Sequence, residues 1–284
     1  MKNIKIGCIV QARSGSSRLP NKIHMPFPLN GEISNLEWVV RRLRKSQNID
    51  EIIIATTTLL ADDSVEQLTK KLAVPVYRGS VENVLSRFYG AAQANKLDII
   101  VRVTGDCPGI DPEVIDQLID KHLKEGNDYT SNTLDRSYPH GLDAEVFNFS
   151  VLEEAYFNVT EDFEKEHVTP YIYKTHADKF KIGQMILNEN HSSIRFTLDT
   201  YEDYLAIAAF YDLYPDGQFN CATIIETYLN KPWLYFINKH IEQKKQYLSI
   251  EEEYEETIKW TKKQDLFRMT KFLEGAKNEI IDFD

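Results

Sequence analysis

Cations, serines and a glycine are concentrated in one short segment near the start of the chain, residues 12–22. Guanidinium, ammonium and hydroxyl groups donate hydrogen bonds to phosphate oxygens, and glycine lets backbone N–H groups turn toward an anion. The combination therefore predicts a loop that binds a polyphosphate. The candidate ligands in this loop are Ala12, Arg13, Ser14, Gly15, Ser16, Ser17, Arg18 and Lys22.

Two aspartates follow apolar runs that predict strands. Asp106 comes after residues 98–104, and Asp199 comes directly after residues 193–198. In open α/β sheets, ligands bind at the edge formed by the carboxyl ends of the strands. Mg²⁺ takes oxygen ligands, usually one or two carboxylates together with phosphates and water. We therefore expect Asp106 and Asp199 to converge on one Mg²⁺.

Alternating strand and helix patterns would position these groups. Continuous apolar runs predict strands buried on both faces, and their alternation with helices predicts parallel strands with right-handed crossovers. Asp203 is interpreted as a helix cap, and so is Asp111, which precedes a proline. The other predicted helix starts are Ser34 with Glu37, Asp62 or Asp63, Ser80, and Ser150 with Glu153. The predicted strands cover residues 4–10, 51–56, 74–77, 98–104, 129–132, 144–149, 181–187 and 193–198.

The order of elements loosens beyond residue 127. Residues 128–192, with a helix predicted over 160–175, are interpreted as a lid or acceptor-binding region within a main domain of residues 1–230. From residue 231 to 284 the composition shifts to charged amphipathic helix, with a capping signature at Ser249. We expect this C-terminal extension to pack on the core or on a partner subunit.

Composition narrows the class of protein. The 284 residues carry a net charge of −11, which disfavours a broad surface for nucleic acid or anionic membrane. Three cysteines lie far apart and outside any C-x-x-C pattern, which predicts reduced thiols and a cytoplasmic location. Cys107 is interpreted as a small buried thiol. The apolar run at 4–10 falls far short of the ~20 residues that span a membrane.

The segment Q-A-R-S-G-S-S-R-L-P-N-K, which begins at Gln11, resembles the signature loop of the sugar nucleotidyltransferases. It looks most like the cytidylyltransferases of spore-coat polysaccharide biosynthesis, which are related to synthetases of CMP-sugar acids such as CMP-3-deoxy-manno-octulosonate. V-T-G-D-C-P-G-I-D-P and L-D-T-Y-E-D are similar to the family's two metal segments, with Tyr201 where proline is usual. The resemblance implies a Rossmann-like, mostly parallel sheet with flanking helices, and CTP bound by the loop and Asp106. It also implies that Arg13 and Lys22 act in catalysis.

Three further segments extend the resemblance. R-G-S-V-E-N-V-L-S-R-F implies nucleotide contacts by Ser80 and Arg87, although an ordinary helical arginine remains an alternative. Contacts with an acceptor are implied by the segment P-H-G-L-D-A-E-V-F. The segment E-H-V-T-P-Y implies one more contact, through His167, although this histidine could equally have a structural role. The implied acceptor residues are His140, Asp143, Glu145 and His167.

The resemblance implies a Mg²⁺-dependent cytidylyltransferase that transfers CMP from CTP to an acceptor and releases pyrophosphate. The acceptor would be a sugar acid or a sugar or polyol phosphate, and the product would be a precursor of surface polysaccharide or glycoconjugate. Its partners would be CTP and a small anionic acceptor, and a homodimer is left open. One alternative is a glycosyltransferase that uses a nucleotide-sugar, but its D-x-D motif occurs only at Asp282-Phe283-Asp284. A non-enzymatic scaffold is the other alternative, and the retained cations and aspartates speak against it.

Overall fold

The structure, a computed structural model, describes residues 4–16, 18–241 and 250–281. Ser17, Ser249 and the Asp282-Phe283-Asp284 motif therefore lie outside the described residues. The chain divides into two compact units, Met1–His240 and Ile241–Asp284. The sequence predicts that the C-terminal extension begins at residue 231.

The described residues contain nine strands. They are β1 (Ile6–Gln11), β2 (Pro26–Phe27), β3 (Ile33–Ser34), β4 (Glu51–Thr57), β5 (Val76–Gly79), β6 (Ile99–Thr104), β7 (Tyr129–Ser131), β8 (Glu145–Asn148) and β9 (Ile182–Gln184). Seven of these described strands form one sheet in the order β5-β4-β1-β6-β8-β7-β9. Strand β8 runs antiparallel to both neighbours, and the other pairs are parallel. The predicted mostly parallel sheet is confirmed.

Helices connect the strands along the chain and flank the sheet. In the first unit they are α1 (Asn35–Leu43), α2 (Asp63–Leu72), α3 (Val84–Ala94), α4 (Pro112–Glu125), α5 (Phe149–Asn158), α6 (Asp162–His167), α7 (Tyr201–Leu213), α8 (Cys221–Asn230) and α9 (Pro232–Asn238). Short 3₁₀ turns lie at Lys22–His24 and Leu60–Asp62, and a π-helical turn lies at Tyr171–Thr175. The second unit contains α10 (Ile250–Lys263), α11 (Phe267–Gly275) and α12 (Lys277–Ile281).

Strand β1 shows why the core has two halves. Its side chains alternate between the sheet faces, as the pleat of a strand requires. Cys8 and Val10 pack with apolar residues of α1, α2 and α4, whereas Ile9 packs with those of α3 and α5. A third apolar cluster joins Trp38 and Phe196 to helices α7, α8 and α9. The sheet is therefore covered by helices on both faces, which explains the continuous apolar runs in the sequence.

Helix starts show where local signals were sufficient. Ser34 accepts a hydrogen bond from the backbone of Glu37 and caps α1, and Asp111 caps α4, as predicted. The prediction for Ser80 is wrong, because Asn83 lies next to α3 and accepts from Ser86 N at 2.8 Å. The cap at Ser150 is also wrong. Helix α5 begins one residue earlier, at Phe149, and Ser150 lies within its first turn.

Two predicted elements around the acceptor region are wrong. The helix over 160–175 breaks after His167, because Val168 has a φ of 74° and Pro170 has no N–H to continue a helix. The strand over 193–198 is absent from the described residues. That segment makes a single bridge, between Arg195 and His140, because its hydrogen-bonding partner is a loop rather than another strand.

The three cysteines are buried and free, and the interpretation of Cys107 as a buried thiol is confirmed. Burial raises the pKa of Cys107 well above its usual value and that of Cys221 to about 12. Among the described helices, none combines the length and apolar character that crossing a membrane requires. A cytoplasmic location and a homodimer stay predictions.

Candidate active site

Lys22 lies between the two aspartates that the sequence singled out. Its Nζ donates to Asp106 Oδ2 at 2.6 Å and to Asp199 Oδ1 at 2.9 Å. Burial disfavours the charged ammonium, but the two carboxylates outweigh burial and raise the pKa of Lys22. Burial also opposes the charge on Asp106, yet Lys22 and the Thr104 hydroxyl lower the pKa of that carboxyl group. The structure thus brings Asp106, Asp199 and Lys22 together.

The backbone around Gly105 explains how Asp106 reaches the loop. Gly105 N donates to Gln11 O at 2.8 Å, and a Cβ on Gly105 would lie 3.0 Å from that oxygen and from Ala12 Cβ. The turn after β6 therefore packs directly on the end of β1. Leu198 N donates to Asp106 O at 2.8 Å, which places Asp199 beside Asp106 without a strand.

Asp199 is also held by arginines. Arg18 Nη2 and Arg195 Nη2 each lie 3.1 Å from Asp199 Oδ2. Arg195 is oriented in turn by Asp203, whose Oδ1 accepts from Arg195 Nε at 2.7 Å. Asp203 Oδ2 accepts from Thr200 N at 3.0 Å in a capping box, so its predicted role as a helix cap is confirmed. Arg195 was not singled out from the sequence.

The donor set of Asp106 and Asp199 fits a magnesium ion. Both carboxylates direct an oxygen toward one point, marked by Lys22 Nζ, and hard oxygen ligands suit Mg²⁺. Within the described residues no group of three or more His, Cys, Asp or Glu side chains could hold a metal. A site with two carboxylates matches the usual pattern in which substrate phosphates and water complete the Mg²⁺ shell.

A cavity of about 800 Å³ lies next to the start of the loop. It extends from the end of β1 across the N-terminal end of α3 to α6. Five of its lining residues were predicted site residues: Ala12, Arg13, Ser80, Arg87 and His167. Its remaining walls include Gln11, Val81, Glu82, Asn83, Val84, Asp162, Lys165 and Glu166. The cavity joins the nucleotide and acceptor segments of the resemblance in one space.

The loop itself differs from the prediction in two respects. Gly15 does not adopt a left-handed conformation, and a Cβ there would meet nothing within 4 Å, so nothing in its conformation requires glycine. Among the loop residues that the structure describes, the left-handed one is Asn21, with a φ of 57°. Ser14 is buried and bonded to other protein groups. Arg13, in contrast, is exposed, and it forms no ion pair within the described part of the chain.

Arg87 is buried, so the alternative of an ordinary exposed arginine is wrong. Its Nη1 donates to the backbone oxygens of Ser80 and Val81, which holds the turn before α3. Burial and, secondarily, the charge of Arg13 lower the pKa of Arg87. Both residues line the cavity, and an anion bound there would relieve the repulsion between their charges.

Both acceptor-side carboxylates have partners within the protein. Glu145 pairs with Arg102, its neighbour in the β6–β8 register, and accepts from Tyr129 Oη and Thr169 Oγ1 at 2.6 Å each. Asp143 receives two hydrogen bonds from Arg136, at 2.5 and 3.0 Å. Contacts of Glu145 and Asp143 with an acceptor stay predictions.

The two acceptor-side histidines occupy different settings. The backbone of His140 exchanges hydrogen bonds with the segment that precedes Asp199. Burial, and then the charges of Arg136 and Arg195, lower the pKa of the His140 side chain to about 4 against an opposing effect of Asp143. His167 lines the cavity directly before Val168, a β-branched residue at positive φ that marks local strain.

Besides Arg195, three further residues of the site were missed. Gln11 lines the cavity, and its Oε1 accepts from Arg102 Nη2 at 3.1 Å. Gln11 begins the loop motif and Arg102 directly precedes the first metal segment, which was the available signal. Asp62 accepts from Ser14 N at 2.6 Å. Its partner is far away along the chain, so no local pattern indicated this contact.

These features define the class of protein. A cationic loop after the first strand of a mostly parallel sheet, facing two aspartates at the sheet edge, is the arrangement of a nucleotidyltransferase. A family model described as cytidylyltransferase matches residues 7–267, and the chain belongs to that family.

Three comparisons illustrate the relationship. The chain is 38% identical to an uncharacterized protein of Methanocaldococcus jannaschii, MJ1063, over 88% of this chain and 100% of that protein. It is 36% identical to the spore coat polysaccharide biosynthesis protein SpsF of Bacillus subtilis, over 78% of this chain and 93% of that protein. A solved cytidylyltransferase from Leptospira borgpetersenii aligns with a TM-score of 0.79 at 32% identity, covering 86% of this chain and 100% of the other.

Proposed function

We propose that this chain is a Mg²⁺-dependent cytidylyltransferase that transfers CMP from CTP to a small anionic acceptor and releases pyrophosphate. The observation that carries the proposal is the position of Lys22 between Asp106 and Asp199, at the end of a cation loop. The acceptor class is a sugar acid or a sugar or polyol phosphate. The similarity to SpsF supports a place in the synthesis of surface polysaccharide precursors.

The loop binds the triphosphate in this proposal. Arg13 is exposed toward an incoming ligand, and Arg87 and Ser80 lie on the same cavity wall. Charge-assisted hydrogen bonds from guanidinium groups to phosphate are stronger than neutral ones. His140, Asp143, Glu145 and His167 belong to the side on which the acceptor binds.

The reaction is one in-line displacement at the α-phosphorus. An acceptor oxygen forms the new bond to phosphorus, the bond to the pyrophosphate oxygen breaks, and pyrophosphate leaves with the electron pair. A hydroxyl acceptor releases its proton to water, whereas an ionised phosphate acceptor has none to lose. No side chain of the protein is a nucleophile, because positioning and charge stabilisation provide most of the rate in phosphoryl transfer. Arg13 and Lys22 stabilise the negative charge that develops on the transferring and leaving groups.

Asp106 and Asp199 would hold the Mg²⁺, which neutralises phosphate charge when it is bound. Lys22, which donates to both carboxylates, would also donate hydrogen bonds to phosphate oxygens. Arg18 and Arg195 keep Asp199 in place, and Thr104 keeps Asp106 in place.

A pyrophosphate-release assay tests the proposal. The full chain is incubated with Mg²⁺ and CTP, ATP, GTP or UTP, with and without 3-deoxy-manno-octulosonate, other acidic sugars, and sugar or polyol phosphates. We expect pyrophosphate from CTP only with one acceptor present, and a cytidylylated product in the mass spectrum. Free CMP without acceptor would indicate a hydrolase, and a nucleoside diphosphate would indicate hydrolysis or transfer of the γ-phosphate instead. A folded protein that consumes no nucleotide would favour the scaffold.

A further inference from the structure

The cation loop is attached at both ends to the N-terminal end of α2. At its start, Ser14 N donates to Asp62 Oδ1 at 2.6 Å, and Ser14 Oγ lies 3.2 Å from Ser64 Oγ. At its end, His24 Nε2 lies 2.9 Å from the same Ser64 hydroxyl. Asn21 N donates to Ser14 O at 3.1 Å and closes the loop on itself. Asp62 and Ser64 therefore form a clamp on the loop.

The carboxylate of Asp62 serves this clamp rather than the helix that follows it. Asp62 directly precedes α2, yet its side chain makes no capping hydrogen bond to that helix. Its two oxygens accept instead from Ser14 N and from the Thr57 hydroxyl. The residue is 1% exposed, and it has no ion pair within the described residues. Burying a carboxylate is unfavourable unless it is compensated, and here the two donors and the nearby charge of Arg87 provide the compensation.

The negative charge of Asp62 decides whether the residue acts by attracting the ligand or by positioning the loop. Asp62 is an anion beneath a loop that binds a triphosphate in the proposed function, so its charge opposes the ligand. Attraction is therefore not its contribution. What it supplies is geometry, because it holds the backbone of Ser14 and thereby the adjacent Arg13. A loop ordered before binding loses less conformational entropy when the ligand arrives.

We propose that Asp62 is a positioning residue for the nucleotide, which holds the cation loop in its binding conformation before CTP binds. The proposal rests on the proposed function, because it takes CTP as the ligand of the loop. It predicts that the hydrogen-bond acceptor and the charge of residue 62 affect affinity differently. Removing the acceptor for Ser14 N weakens CTP binding, whereas removing only the negative charge does not.

Calorimetry of the full chain with a non-hydrolysable CTP analogue and Mg²⁺ tests this. Asp62→Ala removes the acceptor for Ser14 N and is expected to raise Kd tenfold or more. Asp62→Asn keeps an oxygen acceptor and removes the charge, so its Kd is expected to equal or fall below that of the unaltered chain. Asp63→Asn is the matched control, since Asp63 is the neighbouring carboxylate, half exposed and paired with Arg78. Its Kd is expected to stay unchanged.

Melting temperatures measured alongside identify a purely structural role. Lower melting temperatures with an unchanged Kd in Asp62→Ala would overturn the proposal, and so would an Asp62→Asn variant that binds as poorly as Asp62→Ala. If Asp62→Ala does not fold, Ser64→Ala tests the other half of the clamp and is expected to raise Kd two- to fivefold; no change there would overturn it. Failure of the unaltered chain to bind the analogue would instead overturn the proposed function, and the clamp's role with it.

Discussion

The nucleotide-side and acceptor-side segments differ in how their charges are paired. On the nucleotide side, Arg13 is exposed and forms no ion pair within the described residues, and Arg18 reaches Asp199 while one-third exposed. On the acceptor side, Asp143 and Glu145 are each paired with an arginine. The nucleotide side thus leaves positive charge for an incoming ligand, whereas the two carboxylates on the acceptor side are already neutralised by arginines of the protein.

The difference teaches that a charged residue in a family motif need not contact the ligand. Glu145 accepts hydrogen bonds from Arg102, Tyr129 and Thr169. A buried carboxylate with three donors is a fixed part of the structure, because each donor would be left unsatisfied without it. An exposed arginine without a partner can reorganise around phosphate. Substitutions on the two sides should therefore change different measured quantities.

The largest change in rate is expected for Asp106→Asn and Asp199→Asn. Each variant removes a charged ligand from the proposed Mg²⁺ site, so turnover should fall about a thousandfold or more, as a loss of several kcal/mol implies. Pyrophosphate release across a Mg²⁺ titration is the measurement, with the exposed Asp178→Asn as control. Near-normal turnover in either variant at an unchanged melting temperature would remove the shared-metal assignment.

The largest change in stability is expected on the acceptor side. Glu145→Ala leaves the largely buried Arg102 without its carboxylate, so the free energy of unfolding should fall by about 3–5 kcal/mol. Asp143→Ala breaks a more exposed pair and should cost about 1 kcal/mol or less. Urea unfolding of both variants measures the contrast. Equal losses would show that the two pairs are not different in kind.

A smaller effect is expected for Arg13→Ala. Loss of a charge-assisted hydrogen bond to phosphate should weaken binding of a non-hydrolysable CTP analogue by about 1.5–3 kcal/mol and leave the free energy of unfolding unchanged. Arg41→Ala, which removes an exposed arginine of α1 paired with Glu37, is the matched control. An affinity equal to that of the control would mean that Arg13 belongs to an ordinary surface turn.

The smallest effect concerns pH. The pKa of His140 is about 4 in the folded chain and about 6.5 when unfolded. The unfolded chain therefore takes up a proton first as pH falls, so the stabilisation by His140 is present above about pH 6.5 and is lost toward pH 4. Urea midpoints at pH 7 and pH 5 should differ less in His140→Gln than in the unaltered chain. Equal differences would contradict the lowered pKa.

Local patterns were sufficient for most of the sheet. Strands β1, β4 and β6 were predicted because residues buried on both faces give continuous apolar runs, and the caps at Ser34 and Asp111 lie next to their helices. The strand predicted at 193–198 failed because an apolar run does not show whether another strand is available as a partner. The helix over 160–175 failed at Val168 and Pro170, where backbone conformation outweighed apolar spacing.

Contacts between residues far apart in the sequence limited how much of the site could be predicted. The loop and both aspartates were recognisable because their residue types suit phosphate and metal chemistry. The contact of Ser14 with Asp62 spans 48 positions and that of Arg102 with Glu145 spans 43, so neither leaves a mark at helix or strand spacing. Sequence reasoning therefore identified which residues carry charge, whereas the structure was needed to show which charges are already paired.

The most direct test of this contrast compares one residue from each side in the same binding experiment. Calorimetry with a non-hydrolysable CTP analogue and Mg²⁺ is carried out on Lys22→Ala and on Glu145→Gln, with melting temperatures measured in parallel. We predict that Lys22→Ala weakens binding at least tenfold, whereas Glu145→Gln lowers the melting temperature and keeps the affinity. The assignment of the triphosphate to the cation loop would be contradicted if Lys22→Ala bound the analogue normally. It would also be contradicted if Glu145→Gln folded but lost binding while Lys22→Ala kept it.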